Sequence, residues 1–243
     1  VLASTMVIAA GYIINNFYDA EKDLINKPTK TMLDRLVSQR FKLTTYFVLN
    51  FFSVFAASYI SFRAVLFFAS YVFGIWLYSH KLKRYPFLGN LVSATLAIAP
   101  FFVVFVYYKN FETVIFVHAL FLFLLILARE MVKDLENLAG DLAQNYRTIP
   151  ILYGATTSKI LITVLILLTA VPGYLLITKF DVGLMYLYFI AVLLLLCLFL
   201  LLLWLSKKKT QYIWLHNIIK FIIVAGVFGI LLIDVDLVLN RII

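Results

Sequence analysis

Two short clusters of carboxylate and amide side chains have the spacing that metal-assisted chemistry needs. In the first cluster, Asn15, Asp19 and Asp23 are spaced i, i+4 and i+8. A helix that continues past Tyr18 therefore presents all three side chains on one face. Two carboxylates and an amide oxygen suit Mg²⁺, which takes one or two carboxylates together with water and phosphate oxygens. Acids at the C-terminal end of a helix also oppose the helix dipole, which disfavours a purely structural role.

The second cluster lies more than a hundred residues further along the chain. Asp134, Asn137 and Asp141 are spaced i, i+3 and i+7, which again predicts one helical face. Ordinary ion pairs among the charged residues of this stretch are the simpler alternative, and the sequence leaves it open.

Together the clusters predict a site for two Mg²⁺ ions around a diphosphate. A diphosphate leaves readily only when cations take up the negative charge that develops on it. The predicted metal ligands are the six residues of the two clusters, Asn15, Asp19, Asp23, Asp134, Asn137 and Asp141. Of these, Asn15, Asp19, Asp23 and Asp141 are the predicted catalytic residues. An apolar cavity beside them would hold a polyisoprenoid tail.

Basic residues near the clusters are candidates for binding the diphosphate. The set comprises Lys30, Lys81, Lys83, Arg84, Lys133 and Arg147. Lys83 and Arg84 are the favoured pair. No zinc-type histidine spacing, nucleotide-binding glycine loop or metalloprotease motif accompanies them.

The elements that must position these residues are membrane helices. Of the 243 residues, 64% are hydrophobic and 14% charged, whereas soluble domains have about 45–50% and 25%. This composition excludes an ordinary soluble domain, a disordered chain and a disulfide scaffold. A bilayer-spanning helix needs about 20 mostly apolar residues. Eight segments qualify, and they predict an all-α polytopic membrane protein: 1–18, 44–59, 64–78, 91–108, 113–128, 160–178, 182–205 and 213–233.

Basic residues also predict the orientation of these helices. Sixteen of the 21 Lys and Arg residues lie in the connections after the first, third, fifth and seventh segments. Basic loops face the cytoplasm, so we expect an integral protein of the cell membrane with both acidic clusters on the cytoplasmic side. The net charge of +9 therefore reflects topology. Nucleic acid is not an expected partner, because no basic module stands apart from the membrane.

At the clustered residues the chain closely resembles the UbiA superfamily of intramembrane prenyltransferases. Asn15, Asp19 and Asp23 match its Asn-x-x-x-Asp-x-x-x-Asp motif, and Asn26-Lys27-Pro28 resembles the run that follows that motif. Residues 129–141 and 148–150 are most similar to the geranylgeranylglyceryl phosphate geranylgeranyltransferase branch. Two departures stand out: Asn137 replaces a usual Asp, and Asn145 replaces a usual Gly, a change that a positive φ would accommodate.

The resemblance implies one transmembrane prenyltransferase domain over residues 1–243. The family fold has nine helices, so we expect this chain to lack the first and part of the second. The implied reaction is a Mg²⁺-dependent transfer of an isoprenyl group from an allylic diphosphate to a lipophilic acceptor. In the most similar branch the acceptor is a prenylglyceryl phosphate and the product is an ether lipid.

Other functions remain open at this point. An aromatic acceptor, as in quinone biosynthesis, would use the same acids and cations. A carrier for anionic lipids or metabolites is the alternative from another class, although carriers usually place charges near the bilayer midplane. An inactive scaffold is also compatible with the Asn137 departure.

Overall fold

The computed structural model describes residues 1–109 and 111–233, without the side chains of residues 104–108. Asn110 and residues 234–243, which belong to the predicted domain 1–243, lie outside the described residues. The described chain consists of ten α-helices joined by short connections and three 3₁₀ turns. The helices are α1 (Leu2–Asn26), α2 (Pro28–Asp34), α3 (Gln39–Ser58), α4 (Phe62–His80), α5 (Leu88–Tyr108), α6 (Thr113–Glu136), α7 (Leu138–Ala143), α8 (Ile149–Thr178), α9 (Tyr186–Leu205) and α10 (Lys209–Gly229).

The all-helical, membrane-spanning character is confirmed, whereas the number of eight spans is not. Within the described ranges, six helical segments have the length and hydropathy for crossing a bilayer: Gln39–Ser58, Phe62–Arg84, Thr113–Glu136, Ile149–Thr178, Gly183–Leu205 and Lys209–Leu232. A shorter apolar helix covers Leu88–Val103. The helix α1 is 25 residues long and is not among the six, because its C-terminal part carries the polar residues of the first cluster.

The chain forms two compact units. The first comprises Val1–Leu96 and Asn137–Leu152. Its core is built where α1 packs on α3 and α4, with Ala10, Ile14 and Tyr46 buried at the centre. The helix α7 packs on α1 within the same unit. This packing places the first cluster, on α1, next to the C-terminal half of the second cluster.

The second unit comprises Ala97–Glu136 and Tyr153–Ile243, described as far as residue 233. In it α10 packs on α6 and α9. A buried contact joins two of these helices, since His216 Nδ1 lies 2.9 Å from a carboxylate oxygen of Glu136.

Prolines within the apolar helices do not end them. Pro100 lies inside α5 and Pro172 inside α8, as the sequence predicts for membrane helices whose freed carbonyls find other partners. The interruption in α8 occurs instead at Gly154, whose φ of 83° and ψ of 162° are non-helical. Glycine reaches that conformation without the steric cost of a Cβ.

Candidate active site

The first cluster lies on one uninterrupted helix, as its spacing predicts. The helix α1 continues eight residues beyond Tyr18, to Asn26. Asn15 Nδ2 donates a hydrogen bond of 3.0 Å to Asp19 Oδ2, so these two side chains share a face one turn apart. Asp19 is buried and Asp23 is partly exposed.

Lys83 brings a cation to the first cluster from a distant part of the sequence. It lies in the 3₁₀ turn Leu82–Arg84, which follows α4, and only 8% of the residue is exposed. Its Nζ lies 2.7 Å from Asp19 Oδ1 and donates to Asn15 Oδ1 at 3.2 Å. Of the six cations predicted to bind diphosphate, Lys83 is therefore the one held against the first cluster.

The second cluster does not form the single helical face predicted for it. The helix α6 ends at Glu136, Asn137 has φ −100° and ψ 11°, and α7 begins at Leu138. Asp134 therefore lies on a different helix from Asp141, and it belongs to the second compact unit. Asn137 and Asp141 belong to the first unit and are both buried.

Asn26 explains why the helix is interrupted at Asn137. Its side-chain Nδ2 donates to the Asn137 carbonyl oxygen at 3.2 Å. Its Oδ1 accepts from the Gly140 backbone N–H at 3.1 Å. One buried amide thus satisfies backbone groups of Asn137, just before α7, and of Gly140, within α7, and it fixes the end of α1 against α7.

Two residues that the sequence analysis did not select complete the site. Tyr146 donates from its hydroxyl to Asp19 Oδ1 at 3.3 Å. Lys22 Nζ lies 3.4 Å from Asp19 Oδ1, 3.3 Å from Asp141 Oδ1 and 4.6 Å from the centre of the Tyr146 ring. The only sequence signal for Lys22 is its position three residues after Asp19, a spacing typical of surface ion pairs.

Burial and charge act in opposite directions on the acids of the two clusters. Burial alone would raise the pKa of Asp19, but Lys22 and Lys83 outweigh it and hold the pKa of this carboxyl below its ordinary value. Burial raises the pKa of Asp141, with a contribution from Asp19 and Asp23, and Lys22 offsets only part of this rise. Burial and the Asp19 carboxylate raise the pKa of Tyr146 to about 12, so its hydroxyl remains a donor.

The other predicted diphosphate-binding residues lie outside this buried network. Lys30, Lys81 and Arg147 are exposed. The Arg84 guanidinium lies 5.5 Å from the Tyr146 ring centre, and the backbone carbonyl of Arg84 accepts a hydrogen bond from the Arg147 N–H.

Two further residues bear on the sequence-based predictions. Lys133, in the second unit, forms a 2.8 Å ion pair with Glu130, the kind of local ion pair that the sequence left open as the alternative to a metal site. Asn145 adopts a φ of 54°, the positive φ that would accommodate asparagine at this position.

The oxygens of the second cluster fit a hard cation. Asn137 Oδ1 is buried without a hydrogen-bond partner, and Asp141 Oδ1 is buried with the Lys22 ammonium 3.3 Å away. Carboxylate and amide oxygens are the donors that Mg²⁺ prefers. Among the described residues, however, no group of three or more His, Cys, Asp or Glu side chains is gathered around one point. In the described part of the site, the Lys22 ammonium lies between Asp19 and Asp141.

Comparison with known proteins identifies the family. A profile described as the UbiA prenyltransferase family matches residues 1–224. The chain belongs to the UbiA prenyltransferase family. Among curated proteins, it is similar to the digeranylgeranylglyceryl phosphate synthase of Thermococcus sibiricus, with 35% identity over 183 residues. That match covers 75% of this chain and 64% of the relative, so the chain spans less than two thirds of that protein's length.

Solved structures of UbiA proteins have the same fold. A structure of a digeranylgeranylglyceryl phosphate synthase superposes with a TM-score of 0.71 at 24% identity, covering 94% of this chain and 82% of the other. A UbiA homolog from Archaeoglobus fulgidus bound to GPP and Mg²⁺ gives a TM-score of 0.70 at 13% identity, covering 94% and 85%. At these identities the likeness establishes the UbiA fold.

Proposed function

We propose that this UbiA family member transfers an isoprenyl group from an allylic prenyl diphosphate to a prenylglyceryl phosphate and thereby makes an ether lipid. The observation that carries the proposal is the buried network in which Asn15 and Asp19 of the first cluster meet Lys83, Lys22 and Asp141. Acids and cations in one buried place suit a reaction in which negative charge moves from carbon onto a leaving diphosphate. The choice of acceptor is supported by the similarity to digeranylgeranylglyceryl phosphate synthases.

We assign the metal ligands to the residues of the two clusters that belong to the first compact unit. Asn15, Asp19 and Asp23 would hold Mg²⁺ from the first cluster, and Asn137 and Asp141 from the second. When bound, Mg²⁺ would neutralise charge on the diphosphate oxygens. Asp134, on α6 in the second unit, is the remaining predicted ligand.

The reaction breaks one bond and forms one. The C–O bond between the allylic carbon and the diphosphate breaks, and the diphosphate leaves with the electron pair. Lys83, held at Asp19 and Asn15, donates to the departing oxygens, while the Asp19 carboxyl, whose pKa is held below its ordinary value, remains ionised. The acceptor hydroxyl oxygen then bonds to the allylic carbon, and its proton passes to the released diphosphate, which leaves the ether.

We propose that both clusters face the cytoplasm of the cell. The support is the concentration of lysine and arginine in alternate connections. Single cysteines introduced in a Cys197→Ala background test it, because Cys197 is the only cysteine of the chain. A membrane-impermeant thiol reagent applied to intact cells should label Arg63→Cys and leave Arg40→Cys unlabelled, and the reverse pattern would contradict the orientation.

One assay tests the reaction and the acceptor together. The protein in lipid nanodiscs is supplied with labelled geranylgeranyl diphosphate, Mg²⁺ or EDTA, and either geranylgeranylglyceryl phosphate or 4-hydroxybenzoate. We expect transfer to the glyceryl phosphate only, and its loss with EDTA and in Asp19→Asn and Asp23→Asn variants. Asp34→Asn is the matched control, because Asp34 pairs with Lys42 away from the site.

Each of the other outcomes contradicts a separate part of the proposal. Transfer to the aromatic acid alone would overturn the acceptor. Diphosphate release that persists with EDTA would overturn the role of the metal. Activity that survives both Asp→Asn substitutions would overturn the assignment of the site.

A further inference from the structure

Lys22 occupies the position between the acids of the two clusters. It projects from α1 one turn after Asp19, and 13% of its side chain is exposed. Its ammonium lies within 3.4 Å of Asp19 and 3.3 Å of Asp141, and it approaches the face of the Tyr146 ring. The contact with Asp141 joins α1 to α7, so Lys22 links elements that are distant in the sequence.

The surroundings of Lys22 keep it charged. Burial alone would lower its pKa, but the carboxylates of Asp19 and Asp141 outweigh burial and raise the pKa above its ordinary value. The electron-rich face of Tyr146 also favours a cation. Its contacts with two carboxylates and an aromatic face thus place a positive charge between Asp19 and Asp141.

Charge balance at this place disfavours a free divalent cation. The ammonium groups of Lys22 and Lys83 pair with Asp19 and Asp141, and they offset two of the three negative charges that these acids and the nearby Asp23 can carry. A metal ion bound to the same carboxylates would lie within a few ångströms of Lys22, where like charges repel strongly. A diphosphate brings several negative charges and removes this repulsion.

We propose that Lys22 is a tethered cation that joins the two clusters in the substrate-free protein and competes with a divalent cation for Asp19 and Asp141. Metal binding is then coupled to diphosphate binding, because the negative charges of the diphosphate offset the repulsion between the metal ion and the Lys22 ammonium. Lys22 acts as a positioning residue that sets the order of binding. The inference rests on the proposed function to the extent that Asp19 and Asp141 are metal ligands.

Binding of Mn²⁺ in the absence of any reaction tests this role. The affinity of the protein in nanodiscs is measured from the fall in the free Mn²⁺ signal in electron paramagnetic resonance, with and without inorganic pyrophosphate. Each sample is compared with a protein-free sample at the same pyrophosphate concentration, because pyrophosphate itself binds Mn²⁺. Without pyrophosphate, Lys22→Met should bind Mn²⁺ at least about tenfold more tightly than the wild type, because the repulsion is gone. Lys22→Arg, which keeps the charge, should bind as weakly as the wild type. Lys207→Met removes an exposed charge elsewhere and serves as the matched control.

Pyrophosphate should tighten Mn²⁺ binding more in the wild type than in Lys22→Met. Equal or weaker binding by Lys22→Met, with binding that still depends on Asp19, would overturn the role of Lys22 and leave the proposed function intact. Mn²⁺ binding that Asp19→Asn does not weaken, or no binding even with pyrophosphate, would overturn the metal site and the inference with it. Thermal unfolding of each variant establishes that it is folded. If Lys22→Met does not fold, Lys22→Gln takes its place in the same comparison.

Discussion

Replacement of Gly140 by alanine should separate the two clusters. An alanine Cβ at this position would lie 2.3 Å from Asn26 Nδ2 and 2.8 Å from the Lys22 carbonyl oxygen. Such distances are shorter than van der Waals contact, so the Asn26 side chain must move. Its movement breaks the hydrogen bonds to the Asn137 carbonyl and the Gly140 N–H.

The expected cost follows from these two buried bonds. A buried polar group left without its partner costs about 1–3 kcal/mol. Alanine in place of glycine inside a helix raises the free energy of unfolding by about 1 kcal/mol, because alanine has the higher helix propensity. We therefore expect Gly140→Ala to lower the free energy of unfolding by about 1–5 kcal/mol.

Gly74→Ala is the matched control for this substitution. A Cβ at Gly74 meets only the end of the Leu96 side chain, at 3.2 Å, and that side chain can move. Both variants and Asn26→Ala are compared by unfolding in mixed detergent micelles. The double variant Asn26→Ala with Gly140→Ala should lose less than the sum of the single variants, because the nearest clash is then absent. A Gly140→Ala variant as stable as Gly74→Ala, or fully additive losses, would refute the reasoning.

Three further predictions follow from other contacts. Lys83→Met should lower the transfer rate about 10- to 100-fold through loss of its charged contacts, with Lys207→Met as the control in the nanodisc assay. The pKa of Asp141 is higher in the folded protein than in the unfolded chain, so its ionisation lowers stability as pH rises above about 4. Asp141→Asn should accordingly raise the thermal midpoint of the metal-free protein at pH 7, with the gain shrinking toward pH 4. Glu136→Ala should lose about 1–3 kcal/mol in micelle unfolding as its contact with His216 is lost, and Glu136→Gln should recover most of it.

The first cluster could be predicted from the sequence because local periodicity decides its geometry. One helix carries Asn15 and Asp19, and a contact between residues four apart depends only on that helix being continuous. The apolar segments were predictable for the same reason, since length and composition decide whether a helix can span a bilayer. Some of their ends were not, because a helix can begin in polar residues: α10 begins at Lys209, four residues before the predicted segment 213–233.

The second cluster could not be predicted, because a distant residue decides its backbone. Its periodicity predicted one helix through residues 134–141, yet the helix ends at Glu136, where Asn26 binds the next carbonyl. The burial of Lys22 depends in the same way on Asp141, which lies on another element. Spacing within one segment carries no information about such pairs.

The run Asn26-Lys27-Pro28, which follows the first cluster, ends α1 and begins α2. Lys27 leaves the helical conformation with φ −142° and ψ 62°, and Pro28 begins α2, where its missing N–H costs nothing. Asn26 is thereby the last residue of α1, and its side-chain amide contacts the Asn137 carbonyl and the Gly140 N–H. The last turn of α1 thus holds the second cluster in two ways, through the amide of Asn26 and the ammonium of Lys22. Asn26 and Lys22 both act on the geometry of the acids, and in the proposed function Asp19, Asp23 and Asp141 act on the diphosphate.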